Sequence, residues 1–144
     1  METRLSRVAD VPVVTGVPET WTKPIRPERF VGKREARLAK AVGLTQFGVN
    51  LVTLAPGAMS SLRHWHEAED EFVYVLEGEV TLVDDNGVHS MDATTFAGFP
   101  ANSGNAHHLV NRSTRDATLL VVGSRRPGLE TIHYPDDDHG PVRK

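Results

Sequence analysis

Apolar and polar residues alternate along much of the chain after residue 46. Phe47, Val49 and Leu51 alternate with small or polar residues, and this period of two predicts a half-buried strand with those three side chains facing inward. A second alternating stretch begins at Glu71, and the apolar run from 117 to 122 suits a buried strand. Many short strands of this kind are typical of a closed or sandwich-like antiparallel fold.

Turn signals separate the predicted strands. Pro56-Gly57 marks one turn, and Asp85-Asn86-Gly87 predicts a hairpin, because Asn-Gly tolerates the two positive φ angles of a type I′ turn. A further short strand is predicted from Thr94 to Phe99, followed by a loop from Pro100 to Asn105. The pattern therefore predicts an all-β core.

The first 45 residues differ in character from the rest. They contain Pro12, Pro18, Pro24 and Pro27. Proline lacks the backbone donor that ladders and helix interiors need, so this segment is predicted to be mostly extended or irregular. Helix propensity predicts one short helix, from Arg34 to Val42, ended by Gly43.

The chain thus divides into three parts. We predict an extended N-terminal arm over residues 1–45, a strand-rich core over 46–124 and a C-terminal tail over 125–144. The acidic stretch from Tyr134 to Asp138 in the tail is predicted to be a solvated end.

Charge is unevenly distributed between these parts. Residues 1–45 carry nine basic and five acidic side chains, whereas the remainder carries seven basic and fourteen acidic ones. The arm either wraps its own domain or crosses to the acidic body of a second subunit. We predict a homodimer in which the arm pairs with a sheet edge of the partner. Its apolar contacts would centre on Val13, Val14, Trp21 and Ile25.

The composition excludes several function classes. Cysteine is absent, which excludes disulfides and thiolate zinc sites. The net charge is −3, no apolar run approaches the length of a membrane span, and no pair of DNA-binding helices is evident. Neither nucleic acid nor membrane is predicted as a partner, and the N-terminus lacks the apolar region of a secretory signal, so a cytoplasmic location is expected.

Histidines and one carboxylate form a candidate metal-binding set. His64 and His66 are two residues apart, so on a regular strand they point to the same side. Glu71 opens the next strand, and His107 follows the loop after residue 100. Imidazole and carboxylate together suit a borderline divalent metal. We predict that these four residues bind one divalent ion.

Alternative ligands lie beside the predicted ones. His108 adjoins His107 and would face the other way unless a bulge exchanges the two. Glu67 and Glu69 could replace Glu71, although they are predicted to belong to a solvated acidic turn. His89 and His139 are interpreted as surface or structural histidines. Trp65 and Arg63 should point away from the site.

Both histidine stretches resemble the two motifs of the cupin superfamily. The first motif is matched by His64-x-His66, four residues, Glu71, six residues and Gly78, with Gly57 one residue further upstream than usual. In the second, Gly104, His107 and Asn111 keep the family spacing, while Pro100 stands four residues before Gly104 instead of two. The resemblance spans about residues 46 to 124.

Membership of this family would imply a small antiparallel β-barrel, or jelly roll, with the metal inside one end. The ion would be Fe, Mn, Ni or Zn, and four protein ligands would leave positions for water, oxygen or substrate. The family includes dioxygenases, isomerases, decarboxylases, lyases and non-catalytic binding proteins, so fold alone does not select a reaction.

The predicted interior bears on the substrate. The alternation turns Val49, Leu51, Leu62, Val73, Val75 and Leu109 inward and places no Lys or Arg there. A small neutral or aromatic molecule fits such an interior better than a phosphorylated one. We expect a metal-dependent enzyme with dioxygenase-like oxidation as the leading reaction. The alternatives are a metal-dependent isomerase or lyase, a metal-containing binding or sensing module, and a structural barrel with vestigial histidines.

Overall fold

The computed structural model describes residues 2–16, 27–137 and 140–144. Within these ranges the chain forms twelve strands, one short α-helix and two 3-10 helices. The strands are β1 Val13–Thr15, β2 Lys33–Arg37, β3 Phe47–Leu54, β4 Trp65–His66, β5 Glu71–Glu77, β6 Glu79–Asp84, β7 Gly87–Asp92, β8 Phe96–Phe99, β9 His108–Val110, β10 Ala117–Ser124, β11 Thr131–His133 and β12 Val142–Arg143. The helices are α1 Leu38–Ala41 and the 3-10 turns Val8–Asp10 and Pro27–Phe30.

The strands form three antiparallel sheets. The largest has the order β1-β2-β3-β10-β5-β8, and two smaller ones have the orders β7-β6-β9 and β12-β11-β4. One buried core joins the largest sheet to the β6 sheet; it includes Val52, Leu54, Val73, Val75, Leu119, Val80, Leu82, Met91 and Leu109. The all-β antiparallel fold is therefore confirmed, and facing sheets of this kind agree with the expected jelly roll.

The helix predicted from Arg34 to Val42 is only half correct. Residues 33–37 form β2, which lies between β1 and β3, and helix appears only over Leu38–Ala41. Hydrogen bonding to a strand on each side outweighs the helix propensity of this stretch. Gly43 follows the helix with φ of +75°, as the prediction of its end required.

The inward face of β3 was assigned wrongly. Val52 and Leu54 are buried in the core, whereas Val49 and Leu51 are only half-buried on the opposite face. That face is partly covered, because Val49 shares an apolar pocket with Leu5 and Leu38 of the arm. Both faces of β3 therefore carry apolar residues, and alternation alone could not tell them apart.

The predicted β6–β7 hairpin is present, but its turn lies one residue earlier. Asp84 pairs with Gly87, so Asp85 and Asn86 occupy the two central positions. Neither has positive φ, which rules out a type I′ turn. The Asn86 N–H instead donates to the Asp84 carboxylate at 2.9 Å.

The C-terminal tail is not a solvated end. Through β11 it pairs with β4, so that Ile132 lies opposite His66. Tyr134 is buried, and Asp136 and Asp137 form ion pairs with Arg63 and Arg29. Asp138 lies outside the described residues. The acidic composition was misleading because these carboxylates meet arginines from distant parts of the chain.

The described part of the N-terminal arm belongs to its own sheet. Val13, Val14 and Thr15 pair with residues 34–36 of β2. Trp21 and Ile25, which were predicted to make the main apolar contacts with a second subunit, lie outside the described residues. Among the residues that the structure describes, no helix is long and apolar enough to cross a membrane.

Candidate metal centre

Backbone pairing brings the two histidine stretches together. The His64 N–H donates to the His107 carbonyl at 3.1 Å, and the His107 N–H donates back to the His64 carbonyl at 2.9 Å. His66 follows in β4, and Glu71 begins β5. The four side chains proposed as ligands therefore converge from three separate stretches of the chain.

Three imidazole nitrogens surround the Glu71 carboxylate. His66 Nε2 lies 3.0 Å and His64 Nε2 lies 3.4 Å from Glu71 Oε2, while His107 Nε2 lies 3.3 Å from Glu71 Oε1. Burial by itself would raise the pKa of Glu71, but hydrogen bonds from the three histidines hold that pKa well below its ordinary value. The carboxylate thus remains charged, as a metal ligand must be.

The tautomer of His64 also suits a metal. His64 Nδ1 lies 2.7 Å from the Leu62 carbonyl, and His66 Nδ1 lies 3.3 Å from Glu130 Oε2. The acceptor at His64 Nδ1 assigns the proton to that nitrogen and makes Nε2 the atom that would bind a metal. His66 Nδ1 makes no hydrogen bond, although the Glu130 carboxylate lies within ion-pair distance. His64, His66 and Glu71 offer ligand atoms within 4.8 Å of one another, so they can hold an ion.

His107 is the most enclosed of the four side chains. It is 1% exposed, and its ring is stacked on Phe99 at 3.6 Å between centroids and 5° between planes. Its Nδ1 is buried without a hydrogen-bond partner. The residue is therefore oriented by aromatic packing, and its place as the fourth ligand remains a prediction.

The alternative ligands differ in where they lie. His108 Nδ1 is 2.9 Å from the Ser61 carbonyl, and burial lowers the pKa of His108. Glu67 is exposed and lies 3.1 Å from His133 Nε2. Glu69 was expected in a solvated turn, but it is buried and accepts a hydrogen bond from the Arg126 N–H at 2.8 Å. With His66 and Glu130 it offers a second group of ligand atoms within 4.8 Å of one another.

Glu130 is a site residue that the sequence analysis missed. Its side chain is fully buried, and Oε1 accepts from the N–H groups of Glu67 and Ala68 at 3.1 and 3.4 Å. Its Oε2 has no hydrogen-bond partner and lies within ion-pair distance of His66 Nδ1, at 3.3 Å. Burial, together with the neighbouring Glu130, raises the pKa of Glu69. No motif marked Glu130, because it lies in the tail, 64 residues after His66.

Other residues assigned away from the metal cluster hold the surrounding loops. Trp65 stacks on His133 at 4.2 Å. Arg63 donates to Asp136 at 2.7 and 2.9 Å, contacts Asp85, and donates to the Ala106 carbonyl immediately before His107. Arg63 therefore ties the loop that carries His107 to the tail.

A cavity of about 230 Å³ adjoins the cluster, and its lining is not the apolar one that was predicted. Leu62, Val73, Val75 and Leu109 are buried as expected. However, Lys33, Glu35, Asn50 and Arg125 also line the cavity. The error has two causes, since a strand replaces the expected helix at β2, and Asn50 rather than Val49 lies on the inner face of β3.

Lys33 is a largely buried cation in the wall of this cavity. Burial lowers the pKa of Lys33, and the nearby carboxylates of Glu35 and Glu71 partly offset that effect. Among the described residues, no carboxylate lies within ion-pair distance of its ammonium group. A hydrogen-bond donor therefore stands in the cavity, available to a polar ligand.

Two glycines leave space next to Glu71. On the inner face of the largest sheet, Gly48 pairs with Gly123, and Gly123 pairs with Glu71. Gly48, Gly123 and Glu71 form one cross-strand row, and neither glycine has a side chain that would fill the space above it. The cavity therefore extends along this row toward the Glu71 carboxylate. The site thus combines a candidate metal cluster with room for a small, polar molecule.

Comparisons with known proteins agree with this geometry. A family model described as "Cupin domain" matches residues 50–123. A solved structure from Silicibacter pomeroyi, described as a sugar phosphate isomerase from the cupin superfamily, is 43% identical, covers 96% of this chain and 90% of its own, and superimposes with a TM-score of 0.85. A structure from Acidithiobacillus ferrooxidans, described as a proposed sugar phosphate isomerase, is 35% identical over 72% of this chain and 65% of its own, with a TM-score of 0.69.

A curated relative has a different described activity. Quercetin 2,3-dioxygenase of Bacillus subtilis is 30% identical over 76 residues, which are 53% of this chain. The chain spans only 23% of the length of that relative.

Proposed function

Because this chain belongs to the cupin superfamily, we propose that it is a metal-dependent isomerase of a small, hydroxylated carbonyl compound, such as a sugar. The observation that carries the proposal is the charged cavity beside the histidine cluster, lined by Lys33, Glu35 and Asn50. A hydroxylated substrate can satisfy these polar groups, whereas a neutral aromatic one would leave them without partners. The 43% identical relative supports the same reaction class.

In this proposal His64, His66, Glu71 and His107 hold one divalent ion. When bound, that ion supplies Lewis-acid polarisation of substrate oxygens. The Lys33 ammonium group donates a hydrogen bond to a substrate hydroxyl or to the oxygen on which negative charge develops. Both roles favour a substrate with oxygen atoms on neighbouring carbons.

Isomerisation between an aldose and a ketose moves one proton between two adjacent carbons and a second proton from the hydroxyl to the former carbonyl oxygen. Glu35 is the carboxylate of the cavity that lies beside Lys33, and its Oε2 accepts a hydrogen bond from Arg37 Nε at 3.2 Å. We assign Glu35 the role of the base that removes the carbon-bound proton and returns it to the neighbouring carbon.

The proposal is tested by isomerisation under argon. Metal-loaded protein is incubated in D2O with a panel of aldoses, ketoses and their phosphate esters, and interconversion and deuterium incorporation are followed by NMR. We expect conversion of at least one pair, with deuterium at the transferred position. Lys33→Gln and His66→Ala should each abolish most of the activity. Arg34→Gln is the matched control, because Arg34 is the next residue of β2 and pairs outward with Asp116.

A second candidate is oxygen-dependent oxidation, favoured by the similarity to quercetin 2,3-dioxygenase. It predicts oxygen uptake with the same substrates in air and no conversion under argon. Substrate binding with neither conversion nor oxygen uptake would instead indicate a binding protein, and the isomerase proposal would then be wrong.

A further inference from the structure

A second, outer cavity of about 490 Å³ opens beside the first. The two cavities share Glu35, Gly48, Asn50 and Arg125 in their walls. The basic side chains of the outer cavity are Arg37, Lys40, Arg125 and Lys144. Glu35 is the one acidic side chain that lines it among the described residues. The outer cavity is therefore positively charged, and it adjoins the space next to Glu71.

Among the described residues, three of these cations lack an acidic partner, namely Lys40, Arg125 and Lys144. Arg37 is paired with Glu35 at 3.2 Å, which accounts for the one lining carboxylate. In the described ranges, no carboxylate lies within ion-pair distance of Lys40 or Arg125. Their charge is available to an anion that enters the cavity.

Arg125 occupies a position that depends on a glycine. A Cβ added at Gly48 would lie 2.6 Å from Arg125 Nη2 and 3.1 Å from Cζ, so the guanidinium group rests directly on the glycine backbone. The Arg125 N–H also donates to the Gln46 carbonyl at 2.9 Å, which fixes the start of the side chain. Gly48 is in the same cross-strand row as Glu71. The guanidinium group therefore stands at the border between the two cavities.

We infer that Arg125 and Lys40 form a binding site for a phosphate monoester, so that a phosphorylated substrate places its phosphate in the outer cavity and its carbonyl end at the histidine cluster. This inference rests on the proposed function and extends it to the substrate class. A guanidinium group presents parallel N–H donors that match two phosphate oxygens, and the Lys40 ammonium group adds a mobile second charge. A phosphorylated substrate would differ from the neutral one that the apolar strand pattern predicts.

Inorganic phosphate is the probe for this site. Isothermal titration of the full-length, metal-loaded protein with phosphate, at constant ionic strength, should show one binding site per chain. Arg125→Gln should weaken the affinity about tenfold or more, because a charge-assisted pair is lost. Lys40→Gln should weaken it less. Arg126→Gln should leave it unchanged, since Arg126 is the next residue along the chain and lines neither cavity.

A second variant tests whether the position of the Arg125 guanidinium group depends on Gly48. Gly48→Ala should reduce phosphate affinity by less than Arg125→Gln does, because the added Cβ displaces only the flexible end of the Arg125 side chain, while metal content stays at the wild-type value. The inference is wrong if phosphate fails to bind or if Arg125→Gln binds phosphate like the wild type. It is also wrong if Arg125→Gln and Gly48→Ala both retain phosphate binding and a chelator abolishes that binding. The last result would make phosphate a metal ligand. The titration measures phosphate binding without turnover, so its result is independent of the isomerase assay.

Discussion

At the scale of single residues, the site is organised around shared contacts to Glu71. Three imidazole Nε2 atoms lie within 3.4 Å of its carboxylate, and each comes from a different position along the chain. Such an arrangement brings three imidazoles and one carboxylate together, which is the composition that a borderline divalent ion prefers. Glu130 adds an acceptor behind His66.

Glu130 should act as a positioning residue for His66. Glu130→Gln removes the negative charge that lies 3.3 Å from His66 Nδ1, so the imidazole loses its electrostatic partner on the side away from Glu71. We expect metal Kd to rise about 10- to 100-fold, as is typical when an outer partner of a metal-binding histidine is lost. Competition with a chromophoric chelator measures this. Glu67→Gln is the control, because Glu67 is an exposed carboxylate that pairs with His133; an equal Kd for wild type and Glu130→Gln would contradict the role.

At the scale of elements, the sequence located the strands better than it located their faces. Most strands from β3 to β10 fall close to their predicted positions, because period-two patterns and turn residues are local signals. The exception is β4, which covers only Trp65–His66 and leaves His64 in an isolated bridge. The orientation of β3 was missed because both of its faces are partly covered. β2 and the tail strands were missed because tertiary pairing, rather than local pattern, determines them.

The same reasoning applies to the site. His64, His66 and His107 come together as predicted, since their spacing is encoded within strands and one loop. Lys33 and Glu130 could not be predicted, because each reaches the site from an element whose pairing partner lies more than ten residues away. The apolar strand pattern therefore gave no sign of the charged side chains that line the cavity.

The connection from β5 to β6 gives a prediction about stability. Gly78 has φ of +77°, and a Cβ there would lie 2.7 Å from the Asp116 carbonyl oxygen. Gly78→Ala should therefore lower the free energy of unfolding by about 1–3 kcal/mol, from backbone strain and the clash together. Gly98→Ala is the control, since an added Cβ meets nothing within 4 Å there. Urea denaturation measures both, and equal midpoints for the two variants would contradict the argument.

At the scale of the whole molecule, a bound metal would join β4, β5 and the segment before β9. Binding to the folded state alone should raise its stability. Adding a chelator at neutral pH should therefore lower the Tm of metal-loaded protein. An unchanged Tm would show that the ion does not contribute to folding.

The effect of pH on this stabilisation has a definite sign. In the metal-free protein, burial lowers the pKa of His66, but the hydrogen bond and charge of Glu71 outweigh it and the net pKa is raised. That pair stabilises the metal-free protein below the ordinary histidine pKa of about 6.5, and its contribution is lost as the pH rises through the raised pKa. Metal binding requires neutral imidazole, so the difference in Tm with and without chelator should shrink as the pH falls from 8 to 5. A difference that grows on acidification would contradict the ligand set.

Assembly is also a property of the whole molecule. The basic arm and the acidic body support the predicted homodimer, although the described strand β1 pairs within its own chain. Light scattering should show a dimer for the full-length protein and a less stable or monomeric species when residues 1–30 are removed. A monomeric full-length protein would rule out the exchange of arms, and an equally stable truncated dimer would place the interface elsewhere.

The most direct test of the account is anomalous diffraction from crystals of the protein purified without added metal. We expect one anomalous peak per chain, with the Nε2 atoms of His64, His66 and His107 and one Glu71 oxygen at about 2.0–2.2 Å from it. No peak at this position in protein whose elemental analysis shows a stoichiometric metal, or a peak held instead by Glu69 and Glu130, would contradict the assignment.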